Sequence, residues 1–113
     1  MKLATRILFL DEENQKFFGE GPYRLLLALQ ETGSLRQAAA QMGMAYTKAL
    51  HLVQHAEAGL GFVLTTRQTG GRSGGGSQLT KQGKEFLQRY GAYKAACEQA
   101  NAQLYLEYFS GQR

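Results

Sequence analysis

The sequence lacks the features that build membrane, disulfide-rich and secreted proteins. It has one cysteine, one proline and no tryptophan in 113 residues, and the single Cys97 excludes an intramolecular disulfide framework. No apolar run approaches the ~18–20 residues of a membrane-spanning helix. The short apolar run at the N-terminus is followed by acidic residues without a small-residue cleavage site, which argues against a signal peptide. These absences predict a protein of the reducing cytoplasm.

Acidic residues are scarce in the middle of the chain. Residues 34–84 contain six basic side chains and one acidic side chain, Glu57, whereas the chain as a whole carries a net charge of +4. Positive charge concentrated on one segment is the electrostatic signature of a polyanion-binding surface. The segment is therefore a candidate nucleic-acid interface.

The same segment has the pattern of a helix-turn-helix at 34–58. Gly33 can end a preceding helix, and Ser34 with Gln37 forms a capping-box pattern at the start of the next. Gly43 breaks that helix, and a more polar helix follows. We predict three helices at 23–32, 34–42 and 45–58, with Pro22 at the start of the first. Their apolar positions predict a shared core, made of Leu25, Leu26, Leu29, Leu35, Ala38, Ala39, Met42, Ala49, Val53 and Ala56.

Short strands are predicted on both sides of this three-helix core of residues 22–58. Alternation over 2–10 and a second run at 15–18 predict an N-terminal hairpin over 2–18. Residues 62–80 predict a wing, with Arg72 at the tip of a glycine-rich loop. Thr80 can cap a last helix running to 109. The fold class is thus α+β, mostly α: a single winged helix-turn-helix domain over 1–113 with an N-terminal β-hairpin and a long C-terminal dimerisation helix.

If the segment binds DNA, each of its basic or polar side chains is expected to contact a particular part of the duplex. We expect Ser34, Arg36 and Gln37 to contact phosphates. Side chains on the outer face of the third helix should face base edges in the major groove, and two wing arginines should reach the flanking backbone or minor groove. The remaining predicted DNA-binding residues are Tyr46, Thr47, Lys48, His51, Arg67 and Arg72.

The last helix has an apolar stripe at coiled-coil-like spacing. A helix of this length extends beyond a small winged domain, so we expect the stripe to pair with a second copy and form a homodimer. The alternative is that the helix folds back on its own domain, with a bend at Gly91. The predicted dimer-interface residues are Phe86, Tyr90, Tyr93, Cys97, Ala100 and Leu104.

Three other functions are weaker interpretations. The glycine-rich loop lacks the Walker pattern and the strand-to-helix crossover of a nucleotide-binding loop. His51 and His55 stand four residues apart but have no further metal ligand near them in sequence. No nucleophile–base arrangement indicates an enzyme, so we expect no catalysis, cofactor, metal or small-molecule ligand. A winged-helix module for protein–protein contact remains the alternative to DNA binding.

Two motifs resemble a known family. The stretch GSLRQAAAQMGMAYTKAL is similar to the G-S-x-x-x-A-A-x-x-x-G-x-S-Y-x-x-A pattern of the N-terminal domain of the molybdate-responsive regulator ModE, and TGGRSGGGSQLTKQG resembles that family's wing. LysR-type regulators have a related domain, usually without the polyglycine wing. The resemblance covers about residues 2 to 95 and implies a winged helix that docks on operator DNA as a dimer.

The sequence departs from the ModE pattern at three places. Ala45 replaces a serine that would cap the third helix, Leu50 stands where tryptophan is frequent, and the basic residue is displaced to Lys48. These departures predict a different operator sequence. The separate molybdate-binding region of full-length members has no counterpart in the 113 residues, so we do not expect this chain to bind molybdate.

Overall fold

A computed structural model of the chain describes residues 2–68 and 76–109. Four helices and four short strands occur in these residues, and the strands form two antiparallel pairs, β1 with β2 and β3 with β4. The elements in chain order are β1 (Phe9–Leu10), β2 (Lys16–Phe18), α1 (Glu20–Thr32), α2 (Leu35–Gln41), α3 (Tyr46–Leu60), β3 (Thr65–Gln68), β4 (Gly76–Leu79) and α4 (Lys81–Phe109). This arrangement is the predicted winged helix-turn-helix of the α+β class.

The N-terminal hairpin is much shorter than predicted. Phe9 pairs with Phe18 and Leu10 with Lys16, and the Asp11 carboxylate fixes the turn by accepting from the backbone N–H groups of Glu13 and Gln15 at 2.8 and 2.9 Å. Because β2 has only three residues, it offers no ladder to residues 2–8. The prediction of a strand over 2–10 was therefore wrong outside its last two residues.

Residues 2–8 instead lie along the last helix. The Tyr90 hydroxyl donates to the carbonyl oxygen of Ile7 at 3.0 Å, and the Asn101 side-chain amide donates to the Thr5 hydroxyl at 2.8 Å. An ion-pair network lies beside them, in which Lys94 contacts Glu20 and Glu98. A hydrogen bond from Arg24, together with the charge of Lys94, lowers the pKa of Glu20. The N-terminal segment thereby covers one face of α4.

The three-helix core follows the predicted apolar pattern. Leu25, Leu26 and Leu29 of α1 are buried, as are the predicted residues of α2 (Leu35, Ala38 and Ala39) and of α3 (Ala49, Val53 and Ala56). Met42 is only partly buried. α1 begins at Glu20 rather than 23, which places Pro22 at the third helical residue, still within the first turn where its missing N–H costs nothing. The core prediction is confirmed in its main residues.

The turns around α2 use the predicted glycines. Gly33 has φ 72° at the end of α1 and Gly43 has φ 69° at the end of α2, the left-handed conformation that glycine adopts without a Cβ clash. Ser34 caps α2 by accepting from the Gln37 N–H at 3.1 Å. The Ser34 N–H donates to the Thr32 hydroxyl at 3.2 Å. The predicted box is therefore half formed, because Thr32 takes the part expected of the Gln37 side chain.

The last helix is capped by Thr80, whose hydroxyl accepts from the Gly83 N–H at 2.8 Å. It has 29 residues, and the molecule extends 65 Å along its longest axis. Within the described ranges, no helix is both long enough and apolar enough to cross a membrane.

Of the first two residues of the predicted dimer stripe, Tyr90 lies in the protein's own core and Phe86 is partly buried against that core. Tyr90 is 2% exposed, and the rings of Phe86 and Tyr90 both meet that of Phe18 edge-on with centroids 4.8 Å apart. The hairpin supplies these aromatic partners, so Phe86 and Tyr90 stabilise the single chain. The exposed part of the stripe begins at Tyr93.

Candidate nucleic-acid interface

The outer face of α3 carries exposed polar side chains. Thr47, Lys48 and His51 are exposed, whereas Ala49 and Val53 on the opposite face are buried. The alternation follows from helical periodicity, which places the small apolar residues against α1 and α2. Three of the four residues predicted to face base edges are therefore accessible to a macromolecule.

Tyr46, the fourth, has contacts of a different kind. It is the first residue of α3, and its ring is partly buried against the core. The guanidinium carbon of Arg36 lies 4.1 Å from the ring centroid, within the range of a cation–π contact. Arg67 donates to the Tyr46 hydroxyl at 2.9 Å through Nη2. One tyrosine thus contacts an arginine of α2 and an arginine of β3.

The wing is fixed to the helices by its backbone. The Ser77 N–H of β4 donates to the carbonyl oxygen of Gly33 at 3.0 Å, and Ser77 is paired with Arg67 across the β3–β4 ladder. Gly76 lies so close to the same oxygen that a Cβ would stand 2.7 Å from it. β4 therefore contacts the turn before α2 at the ladder position that also carries Arg67.

Glu57, the single acidic residue of the segment 34–84, points to the base of the wing. Its carboxylate accepts from the Leu64 N–H at 2.8 Å and from the Thr65 N–H at 3.4 Å. The carboxylate compensates two backbone donors at the start of β3 and is about three turns from Tyr46 along α3. Sequence reasoning missed this role, although an isolated acid within a basic segment was its visible signal.

The remaining predicted residues are placed as follows. Ser34 is half-buried as the cap of α2, and Arg36 and Gln37 are exposed. Arg72 lies outside the described residues. His51 and His55 are both exposed, and no group of three metal-ligating side chains forms among the residues described.

The outer part of the predicted dimer stripe is accessible. Tyr93 and Leu104 are 53% and 50% exposed, Cys97 is half-buried and Ala100 is exposed. The stripe lies next to the face that residues 2–8 cover through Asn101. A partner on the stripe would therefore also meet the N-terminal segment.

The chain is similar in sequence to a family of bacterial regulators and to individual proteins. The model of the bacterial regulatory helix-turn-helix protein, lysR family, matches residues 22–84. The chain is 38% identical over 71 residues to the molybdenum-pterin-binding protein MopB of Rhodobacter capsulatus, covering 63% of this chain and 26% of that protein. It is 33% identical over 90 residues to the transcriptional regulator ModE of Yersinia pestis, covering 78% of this chain and 34% of that protein.

A solved structure has a similar fold. ArgP from Mycobacterium tuberculosis superposes with a TM-score of 0.55 at 22% identity, over 75% of this chain and 30% of that chain. The present chain thus spans about a third or less of these larger proteins. It belongs to the LysR-type family of bacterial regulatory helix-turn-helix proteins.

Proposed function

We propose that this chain binds a specific operator in duplex DNA as a homodimer and regulates transcription there. The observation that carries the proposal is the hydrogen bond from Arg67 of β3 to Tyr46, which joins the wing to the start of α3, a helix whose outer face is polar and exposed. In this arrangement α3 enters the major groove, while the wing follows the backbone next to it.

Base reading is assigned to the exposed residues of α3. Thr47 and His51 can donate or accept hydrogen bonds, and the Lys48 ammonium can donate to the acceptor atoms of guanine. Ser34, Arg36 and Gln37 at α2 and Arg67 and Arg72 of the wing are assigned to the phosphate backbone. Such phosphate contacts orient the domain without carrying sequence information.

The dimer is assigned to α4. Tyr93, Cys97, Ala100 and Leu104 recur at intervals of four, three and four residues, the spacing of a coiled-coil seam. Two recognition helices related by a two-fold axis would contact half-sites about one DNA turn, or roughly 34 Å, apart. The operator is then an inverted repeat. Such a role places the protein in the cytoplasm with the chromosome, and we propose no catalytic activity.

Selection of duplexes from a random-sequence pool tests this function. We expect the wild type to enrich a sequence containing an inverted repeat, and Lys48→Ala to lose preference at particular base pairs, each worth about 1–3 kcal/mol. Lys16→Ala, an exposed cation on the N-terminal hairpin, is the matched control and should select the same sequence as the wild type.

Absence of enrichment would contradict the proposal. The alternative is a winged-helix module for protein–protein contact. It is the better description if the wild type retains no duplex above background at low salt and instead captures a protein partner whose binding depends on Leu50 and Tyr46.

A further inference from the structure

We propose that Tyr46 does not read a base but is a positioning residue, which holds Arg36 and Arg67 as a two-armed clamp for the DNA phosphate backbone. The inference deepens the proposed function and rests on it. It replaces the expectation that Tyr46 faces base edges together with its neighbours on α3.

The contacts of Tyr46 leave it poorly suited to base reading. Its hydroxyl is already engaged by Arg67 at 2.9 Å. One face of its ring carries the Arg36 guanidinium at 4.1 Å from the centroid, and the ring also packs against the core. The side chain is therefore held by three elements of the domain and has limited surface left to present to a base edge.

The two arginines carry positive charge that no carboxylate neutralises in the part of the chain described. The ion pairs there join Arg24 with Glu20 and Lys94 with Glu20 and Glu98. Glu57, the one acid in the segment 34–84, is occupied by the N–H groups of Leu64 and Thr65. Two guanidiniums that contact one side chain, with no carboxylate paired to either among the described residues, repel each other, and an anion that contacts both relieves that repulsion.

The chemistry of the clamp selects phosphate. Guanidinium groups are planar and donate paired N–H groups that match phosphate oxygens. The aromatic ring orients the Arg36 plane, and the hydroxyl fixes the Arg67 fork. Because the two groups are ordered before DNA arrives, less side-chain entropy is lost on binding.

The clamp also couples the wing to the recognition helix. Arg67 stands opposite Ser77 in the ladder, and the Ser77 N–H is bonded to Gly33, just before α2. The same ladder position therefore touches the turn before α2 through Ser77 and the start of α3 through Arg67. Tyr46 thus joins α3 to β3 through its hydroxyl and to α2 through its ring.

A double-mutant cycle of Tyr46→Phe and Arg67→Ala tests the clamp. Binding is measured by fluorescence anisotropy on two duplexes, the one selected by the wild type and a scrambled duplex of the same composition. Salt dependence is recorded between 50 and 200 mM, the range over which about 6–10 phosphate contacts change affinity by orders of magnitude. Lys16→Ala serves as the cation control.

We expect Tyr46→Phe to weaken both duplexes by the same factor, roughly threefold to tenfold, so that their affinity ratio is unchanged. Arg67→Ala should lower the salt slope by about 1. In the Tyr46→Phe background, Arg67→Ala should cost at least about threefold less than in the wild type, because the hydroxyl acts through Arg67. Thermal unfolding should be unaltered in Tyr46→Phe, since the hydrogen bond that is lost is exposed.

Two results would overturn the clamp. A changed ratio between the duplexes in Tyr46→Phe would show that Tyr46 reads a base, and additive effects of the two substitutions would show that it does not act through Arg67. Either result leaves wild-type binding intact, and with it the proposed function. If the wild type binds neither duplex, the proposed function and the clamp are both wrong.

Discussion

Gly76 of the wing lies against the carbonyl oxygen of Gly33, and a Cβ at position 76 would stand 2.7 Å from that oxygen. The neighbouring Ser77 N–H donates to the same oxygen at 3.0 Å. Because the close neighbour is backbone, it cannot move aside as the end of a flexible side chain could. This approach sets where the wing stands relative to α2.

The first prediction concerns this contact. Gly76→Ala should push β4 away from the turn before α2, break the Ser77 bond and cost about 1–3 kcal/mol in the free energy of unfolding, as overpacking does. DNA affinity should fall as well, because Arg67 moves with the ladder. Urea unfolding and anisotropy measure the two effects.

Gly21→Ala is the control for glycine replacement. Gly21 lies in α1 with open space around its Cβ position, so alanine should leave stability unchanged or raise it by up to about 1 kcal/mol. Wild-type stability and DNA affinity in Gly76→Ala would show that the wing does not depend on the close approach to Gly33.

The second prediction concerns Glu57. Glu57→Leu removes the acceptor of the Leu64 N–H and should cost about 1–3 kcal/mol, the cost of an unsatisfied backbone donor. Glu57→Gln keeps a neutral oxygen acceptor and should cost less. Both variants remove the same negative charge, so any difference between them in DNA affinity reports on anchoring of the wing alone. Equal stability and equal affinity for the two variants would contradict the anchoring role.

The three-helix core and its turns could be predicted because they depend on local signals. Leu25, Val53 and Gly33 follow from helical periodicity and from the need for a left-handed residue at a helix end. Local signals could not exclude a strand over 2–8, because strand formation there depends on whether β2 is long enough to pair with it, and β2 has only three residues. Periodicity alone also assigned Phe86 and Tyr90 to a contact with a second chain. In the structure both rings pack against aromatic rings of the hairpin.

In the candidate site, too, the exposed residues could be predicted from the sequence, whereas the contacts between distant residues could not. Thr47, Lys48 and His51 could be placed outside by periodicity alone. The contact between Tyr46 and Arg67 joins residues 21 apart in sequence and depends on how the wing packs, which no local pattern encodes. The contact could therefore be found only in the folded chain.

The third prediction concerns the dimer. Tyr93→Glu with Leu104→Glu places two charges on the exposed part of the α4 stripe, and burying them in a seam is costly. Sedimentation at tens of micromolar should show a wild-type dimer and a monomeric variant with an intact winged domain. The variant should also lose its preference for DNA with two half-sites.

Leu27→Glu, an exposed leucine of α1, is the control and should leave the dimer intact. A wild-type monomer at this concentration, or a double variant that remains dimeric, would contradict the assignment of the seam to α4.

The most direct test of the interface is an NMR titration of the ¹⁵N-labelled chain with the duplex that the wild type selects. Binding through α3 and the wing predicts amide shifts at the start of α2, in the first two turns of α3 and along β3 and β4. Peaks from the β1–β2 turn and from the Tyr93–Leu104 stripe should stay in place. Shifts concentrated in the hairpin and α4, with the peaks of Thr47, Lys48 and His51 unmoved, would contradict the assignment of DNA binding to the winged surface.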